Sequence, residues 1–352
     1  MIGLDEIWQE YGMDNLQEGM RTLFPRSDIS FEELFLQVMS GDVMGALSNF
    51  IKGNIAGMTD GILGMKNILI WLVALGVISA LLTHFVEIFD KHQVADLSFY
   101  FVYLLLAAVL LKCFVQMAQS AYSLMENIVL FVKLLVPTYL LAVGVATGPV
   151  TVNSYYQTLL LLIYGVESIL TGVVLPLIYS HVILSVVNGI FSEEKLSLFV
   201  ELLKKSIGWI LKAILGVVTG LSLFQAVISP AVDSVKASAL QKAVAAVPGV
   251  GSAAKGIVEL AVGSAIIIKN SIGVVLLLLL LGLCAIPLLE IFFTAFLIKC
   301  AAAFMGIISD KRITACTNHT GDAGMLLFQA AGTAMLMFLI CISIVAAANT
   351  GG

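Results

Sequence analysis

The chain has 352 residues, of which 60% are hydrophobic and only 12% are charged, with a formal net charge of −5. Soluble domains carry about 25% charged residues, and a soluble fold of this length has too little polar surface to cover so much apolar side chain. The composition therefore excludes an ordinary soluble protein, and the acidic balance provides no basic field for nucleic acid.

The amino-terminal end of the chain carries most of the negative charge. Residues 1–64 hold ten acidic and three basic residues, a net charge of −7, which leaves +2 for residues 65–352. We predict that residues 1–64 form an acidic, amphipathic helical region in water and that residues 65–352 form a transmembrane helical domain. The first residues contain neither the basic nor the apolar segment of a cleavable signal peptide.

Two amphipathic helices are predicted in the acidic region, over 4–24 and 31–51. In the second, apolar residues recur at the i, i+3, i+4 and i+7 positions that begin at Phe31, which is the spacing of one helical face. The glycine-rich segment 53–64 is either a flexible linker or a close-packing helix face, because glycine is unfavourable in an exposed helix.

Several apolar runs have the length of a membrane span, which needs about 20 apolar residues. These runs are 66–88, 98–118, 127–147, 158–189, 207–229, 271–289, 291–308 and 323–348. The run 158–189 contains Pro176 and is either one long kinked helix or a broken pair. We interpret 271–308 as a tight helical hairpin that Pro287 and Glu290 divide. The sequence thus predicts an all-α, polytopic membrane protein with about seven or eight transmembrane helices.

Two segments between the spans have their own character. Residues 192–206 combine an apolar stripe with a Glu201–Lys205 pair on the polar side, which is typical of an interfacial helix that leads into the next span. Residues 230–270 are rich in small residues and contain four lysines. Basic residues occur in both segments, so the preference of Lys and Arg for cytoplasmic loops leaves the membrane orientation undecided.

Within the small-residue segment 230–270, residues 246–265 are predicted to present one smooth helical face. In lipid, helices associate through close backbone approach, which small residues permit. The candidate helix-packing or pore-lining residues are Ser252, Gly256, Glu259, Ala261, Gly263 and Ala265. The segment is either a re-entrant-like element that packs on protein or lines a polar cavity, or a pair of helices on the cytoplasmic surface without a role in a pore.

Ionisable side chains within apolar runs are a second group of candidates, because each costs about 2.5–3.5 kcal/mol at the bilayer centre. They are Lys112, Lys133, Glu167, His181, Glu290 and Lys299. Glu167 stands out because Pro176 and His181 follow it in the same run, which makes the three residues candidate intramembrane polar sites. Glu167 is either part of a pathway or interhelical contact, or a neutral, hydrogen-bonded structural residue.

Motifs for catalysis and for cofactors are missing from the sequence, which has no HExxH, GxGxxG or phosphate-binding loop. His319 and Asp322 occur in TNHTGDAG (317–324), which predicts a turn before the last span and is weak evidence for a metal. The five cysteines show no CxxC spacing and are expected to be buried small side chains. We therefore expect no enzyme, no cofactor and no metal site.

Several long stretches resemble the stage III sporulation protein AE family of endospore-forming bacteria. They are GVESILTGVVLPLIYSHVILSVVN (165–188), 221–273, FLIKCAAAFMGIISDKRI (296–313) and GDAGMLLFQAAGTAML (321–336). The resemblance implies a multi-pass subunit of a channel complex in the mother-cell membrane around the forespore, with ring proteins, an ATPase and small membrane subunits as partners. It also implies that the acidic region lies outside the cytoplasm.

Three kinds of function are compatible with these patterns. A pore-forming or scaffolding subunit, which would be a homo-oligomer in the bilayer without nucleic acid, explains the small-residue face and the lack of catalytic motifs. A stand-alone secondary transporter for a small solute would have broken helices in repeated halves, and the breaks at Pro176 and Pro287 show no clear repeat. An intramembrane enzyme lacks a nucleophile–base pair or a metal set.

Overall fold

A computed structural model shows helices joined by short turns over the residues that it describes. The described residues are 13–24, 30–49, 70, 74, 77–78, 92–147, 149–191, 195–245 and 251–347. The side chains of some helical residues, including 251–265, lie outside this description. None of the described residues is in a β-strand, and the predicted all-α class is confirmed.

The helices vary widely in length. In chain order they are α1 (Met13–Leu23), α2 (Phe31–Met39), α3 (His92–Thr147), α4 (Pro149–Ile169), α5 (Leu175–Ile190), α6 (Ser197–Ala245), α7 (Gly251–Ile308) and α8 (Lys311–Ala347). A π-helical turn, Leu170–Val174, joins α4 to α5. The 56 residues of α3 and the 58 residues of α7 make each helix about 85 Å long at 1.5 Å per residue.

Helix α2 is the amphipathic helix predicted from Phe31, although it ends earlier than expected. Its predicted apolar face is buried, with Phe31, Leu34, Phe35 and Val38 all on the inside. At its start the Oγ of Ser30 accepts a hydrogen bond from the backbone N–H of Glu33, and the Glu33 carboxylate accepts one from the N–H of Ser30. This capping box satisfies two backbone donors that would otherwise lack partners at the helix start.

The acidic amino-terminal helices pack on the long helices. A Cβ atom on Gly19 of α1 would lie 2.6 Å from Cδ2 of Leu135 in α3, so the two helices are close enough to need glycine. Helix α2 contacts α7. The predicted boundary at residue 64 lies outside the described residues and stays a prediction.

Four of the described helical segments are long and apolar enough to cross a membrane. They are Phe99–Leu140, Leu159–Ile190, Ile266–Ile307 and Lys311–Ile342. The difference from the predicted seven or eight arises largely because α3 contains both 98–118 and 127–147, while α7 contains both 271–289 and 291–308. The predicted span 66–88 lies almost entirely outside the described residues, and 207–229 lies within α6.

Two turns predicted from the sequence are wrong. Helix α7 continues through Pro287 and Glu290, so 271–308 is not a hairpin. Helix α8 includes all of 317–324, where Gly and Thr suggested a turn. A membrane bundle tolerates Pro and Gly within helices because neighbouring helices and polar side chains satisfy the freed backbone groups.

The run 158–189 is one continuous helix with a bulge, which decides between the two alternatives. The π-turn Leu170–Val174 lies just before Pro176, whose ring cannot donate a backbone hydrogen bond. Polar side chains bond the backbone on both sides of the bulge. The Thr171 hydroxyl donates to the carbonyl of Glu167 at 2.7 Å, and the Ser180 hydroxyl donates to that of Pro176 at 2.8 Å.

Helix α6 corrects the predicted interfacial helix over 192–206. Residues 192–194 lie outside the described part, and the helix that starts at Ser197 runs to Ala245 without an end near residue 206. The predicted Glu201–Lys205 pair is present and exposed, with 2.9 Å between Oε1 and Nζ. The hydrogen bond from Lys205 lowers the pKa of the Glu201 carboxyl.

Helices α3 and α8 run in the same direction. The guanidinium of Arg312, near the start of α8, lies 3.6 Å from the ring centroid of Phe99 in α3. Further toward the carboxyl ends of both helices, Gly324 of α8 packs against Met117 of α3. Both contacts advance along both sequences, so the two helices are parallel.

Helices α5 and α7 run opposite to this pair. Gly306 of α7 lies beside Thr314, and the rings of Phe292 and Phe328 are 5.4 Å apart, so α7 is antiparallel to α8. Tyr103 of α3 donates a hydrogen bond to the carbonyl of Val186 in α5 at 2.6 Å, and the ring of Phe114 lies 5.1 Å from that of Tyr179, so α5 is antiparallel to α3. These directions set which residues of different helices share the same depth.

Candidate functional site

A single carboxylate joins three helices inside the apolar bundle. Asp322 lies eleven residues after Lys311, about 16 Å along α8, and only 7% of its side chain is exposed. Its Oδ1 accepts a hydrogen bond from the Nζ of Lys299 in α7 at 2.5 Å, and its Oδ2 accepts one from the Nζ of Lys204 in α6 at 2.8 Å. Hydrogen bonds between charged groups are about twice as strong as neutral ones.

The glycines on both sides of this carboxylate let α7 approach α8. A Cβ atom on Gly324 would lie 2.7 Å from Cβ of Ala295 and 2.9 Å from Sδ of Met117. A Cβ atom on Gly321 would overlap the side chain of Lys299 and lie 3.3 Å from its backbone nitrogen. The GDAG sequence therefore brings the backbone of Lys299 close enough for its ammonium group to reach Asp322.

Two histidines extend the polar cluster toward α5. The side chain of His181 is fully buried, and its Nδ1 donates to the carbonyl of Val200 in α6 at 3.1 Å. Its ring meets that of His319 edge to face, with 5.9 Å between centroids. The Nδ1 of His319 lies 3.9 Å from Oδ2 of Asp322. Among the described residues, no hydrogen-bond partner faces the buried Nε2 of His181.

The cluster has an excess of positive charge when the imidazoles are neutral, because two ammonium groups face one carboxylate. The lysines reach the surface, with 43% of the Lys204 side chain and 37% of the Lys299 side chain exposed. Lys299 also donates to Oδ1 of Asn318 at 3.4 Å. The arrangement can fix the register of three helices. Within the described ranges, no three His, Cys, Asp or Glu side chains lie close enough to bind a metal ion.

The structure separates the predicted intramembrane polar residues. His181 belongs to the cluster around Asp322. Glu167 is half-buried in the last turn of α4, and Pro176 opens α5 beyond the π-turn. The bulge therefore lies where the sequence suggested a broken helix, but Glu167 is not part of the Asp322 cluster. Its functional role stays a prediction.

The predicted small-residue face lies in the first turns of α7. Its backbone is helical from Gly251 onward, and residues 246–250 before it lie outside the described part of the chain. The side chains of the face are not described, so its role as a packing or pore-lining surface also stays a prediction. These residues are Ser252, Gly256, Glu259, Ala261, Gly263 and Ala265.

Sequence reasoning missed the centre of the cluster. Asp322 falls in the predicted turn 317–324, and Lys204 falls within the predicted interfacial helix 192–206. One signal was available in Lys299, a lysine within an apolar run that needs a counter-charge if it is not at a span end. Helical spacing would have placed His319 and Asp322 on one face of a helix.

Comparisons with known proteins agree with the resemblance read from the sequence. The model of one family, described as Stage III sporulation protein AE, matches residues 29–349. Among curated proteins, the chain is similar to Stage III sporulation protein AE of Bacillus subtilis (strain 168), with 19% identity over 315 residues. This alignment covers 89% of the chain and 79% of the relative. No solved structure matches the chain.

Proposed function

Since the chain belongs to the stage III sporulation protein AE family, we propose that it is a membrane subunit of the channel complex that links the mother cell and the forespore. The family gives the chain a role in sporulation and is not a known enzyme family. The observation that carries the proposal is the extent of the match, which includes α2 and almost the entire helical bundle.

The contacts between the long helices support a pore-forming or scaffolding role. Asp322 ties α6, α7 and α8 together, and such a junction keeps long helices in a fixed register. The acidic amino-terminal helices pack on α3 and α7 and offer a docking surface to ring proteins. The subunit would reside in the mother-cell membrane as a homo-oligomer, with the ATPase and small membrane subunits as further partners.

Affinity purification from sporulating cells tests this proposal. The tagged chain is extracted in a mild detergent, and an unrelated tagged multi-pass protein from the same cells serves as the control. We expect ring subunits and the ATPase to be recovered with the chain and to be missing from the control. Recovery of the chain alone, as a single copy, would contradict the proposal.

A stand-alone secondary transporter for a small solute is the second candidate, because one membrane-length helix carries a π-bulge beside a groove. The π-turn Leu170–Val174 borders a groove of about 300 Å³, and π-bulges within helices are frequent at functional sites. Uptake of a solute by the purified chain in liposomes would support this candidate. A chain that is inactive alone, but is recovered with the ring subunits, would exclude it.

A further inference from the structure

The outward surface of α3 carries a polar stripe in the middle of its apolar run. Starting at Lys112, exposed residues recur at alternating intervals of four and three positions, which keeps them on one side of a helix. The polar stripe consists of Lys112, Gln116, Gln119, Ser123, Glu126, Leu130 and Lys133. Leu130 is its one apolar member. The opposite side of α3 is buried in the bundle.

The length of the polar stripe matches the thickness of a membrane. Lys112 and Lys133 are 21 residues apart in the numbering, which is about 32 Å along a helix. The hydrocarbon core of a bilayer is about 30 Å thick. Lysines at these two positions can extend their ammonium groups to opposite interfaces, and the side chains between them then lie at hydrocarbon depth.

Helix α7 gives an independent marker of the same depth. Gly324 touches both Met117 of α3 and Ala295 of α7, so these residues are level. Because α3 and α7 are antiparallel, the stripe beyond Met117 is level with the part of α7 that precedes Ala295. The large exposed side chains of α7 there are Leu281, Leu289 and Phe293. The bundle surface at this depth is therefore apolar on α7, apart from the half-buried Glu290, whereas on α3 the polar stripe runs beside the exposed side chains of Val115 and Tyr122.

Two grooves border the polar stripe. Gln119 and Ser123 line the groove of about 300 Å³ together with Thr171 of the π-turn. Lys133 and Tyr164 line a second groove of about 230 Å³. The Nζ of Lys133 lies 5.7 Å from the ring centroid of Tyr164. A water molecule occupies about 30 Å³ in the liquid, so the first groove has room for several waters beside the stripe.

We propose that the polar stripe of α3 faces water in an aqueous path that further copies of this chain enclose. The inference rests on the proposed function, and it identifies α3 as the lining helix and a hydrated polar solute as the kind of molecule that passes. Facing lipid would place two amides, a hydroxyl and a carboxylate at hydrocarbon depth without water, although the Glu126 carboxylate accepts a hydrogen bond from the Tyr122 hydroxyl. A helix that lines an aqueous path needs this pattern, with one polar side and one side buried in its own bundle.

Cysteine labelling in membranes from sporulating cells tests the proposal. Gln116→Cys, Gln119→Cys and Ser123→Cys are compared with Leu289→Cys and Phe293→Cys, which lie at the same depth on α7. The background carries Cys300→Ser, because the other four native cysteines are buried. The membranes are fragmented so that a charged, membrane-impermeant thiol reagent reaches both faces.

The thiolate attacks the reagent, and it forms in water but is suppressed in lipid. We therefore expect the stripe variants to react at least about tenfold faster than the α7 variants. Equal, slow reaction at both sets of positions would overturn the proposal. Efficient disulfide cross-links between stripe cysteines of two copies, without labelling, would also overturn it, because the stripe would then be a dry subunit contact.

The purification experiment described above separates this inference from the proposed function. If the stripe is labelled but the chain is recovered without ring subunits, the aqueous face is supported and membership of the sporulation channel complex is rejected. If the chain is recovered with ring subunits but the stripe does not react, membership of the complex is supported and α3 does not line its path.

Discussion

Lys204 of α6 and Asp322 of α8 are 118 residues apart in the sequence and are joined by a hydrogen bond of 2.8 Å inside the apolar bundle. Lys299 of α7 bonds the other oxygen of the same carboxylate. Because the carboxylate is buried and shared, the three side chains act as one unit. Removal of the acid leaves two positive charges facing each other.

We predict that Asp322→Asn destabilises the protein in detergent by about 1–3 kcal/mol, since two charge-assisted hydrogen bonds are lost. Combining Asp322→Asn with Lys204→Met should destabilise less than the sum of the two single changes, by about 0.5–3 kcal/mol, because the residues share one network. Thermal unfolding of the wild type, the two single variants and the double variant measures this coupling. Strictly additive effects would show that the pair is not coupled. Glu201→Gln, at an exposed ion pair, is the control and should lower the midpoint much less than Asp322→Asn does.

The second prediction concerns the approach of α7 to α8 at Gly324. A methyl group there would lie 2.7 Å from Cβ of Ala295, so Gly324→Ala should destabilise the bundle by about 1–3 kcal/mol through overpacking. Gly332→Ala in the same helix is the matched control, because no atom lies within 4 Å of its added Cβ. It should be neutral or stabilise by up to about 1 kcal/mol. Thermal unfolding decides, and equal midpoints for both variants would mean that the helices are not in close contact at Gly324.

The third prediction is a pH dependence at the exposed pair of Glu201 and Lys205. The hydrogen bond from Lys205 lowers the pKa of Glu201 in the folded state, so the folded protein binds fewer protons there than the unfolded chain. The contribution to stability is fully present above the unfolded Glu pKa of about 4.3 and is lost as the pH falls through the lower folded pKa. The midpoints of wild type and Glu201→Gln should therefore converge in acid. A difference that grows as the pH falls would have the wrong sign.

The sequence predicted the helical class and the buried face of α2 well, because both depend on local spacing. It failed where two apolar runs join. Nothing local distinguishes one long helix from two spans in α3, and Pro287 predicts a break that the tertiary packing of α7 removes. Neighbouring helices decide such cases by satisfying the freed backbone groups.

The candidate site was predicted only in part, for a related reason. The role of Asp322 depends on Lys204 and Lys299, which lie on other helices. Their proximity to Asp322 is apparent only once the helices are assembled. The glycines around it predict a turn in a soluble protein, whereas in a membrane bundle they predict close approach. The sequence did not reveal the polar stripe of α3, because its central residues lie between the two predicted spans 98–118 and 127–147.

The fourth prediction concerns the small-residue face in the first turns of α7. If copies of the chain associate through this face, a bulky side chain will separate them, because association in lipid depends on backbone proximity. We expect Gly256→Leu to abolish the oligomer bands obtained by chemical cross-linking, while Gly256→Ala retains them. Membrane insertion, measured by resistance to alkaline extraction, should be normal in both variants. Oligomer bands that persist in Gly256→Leu would show that the copies meet elsewhere, and loss of insertion would show that Gly256 contributes to the fold of the single chain.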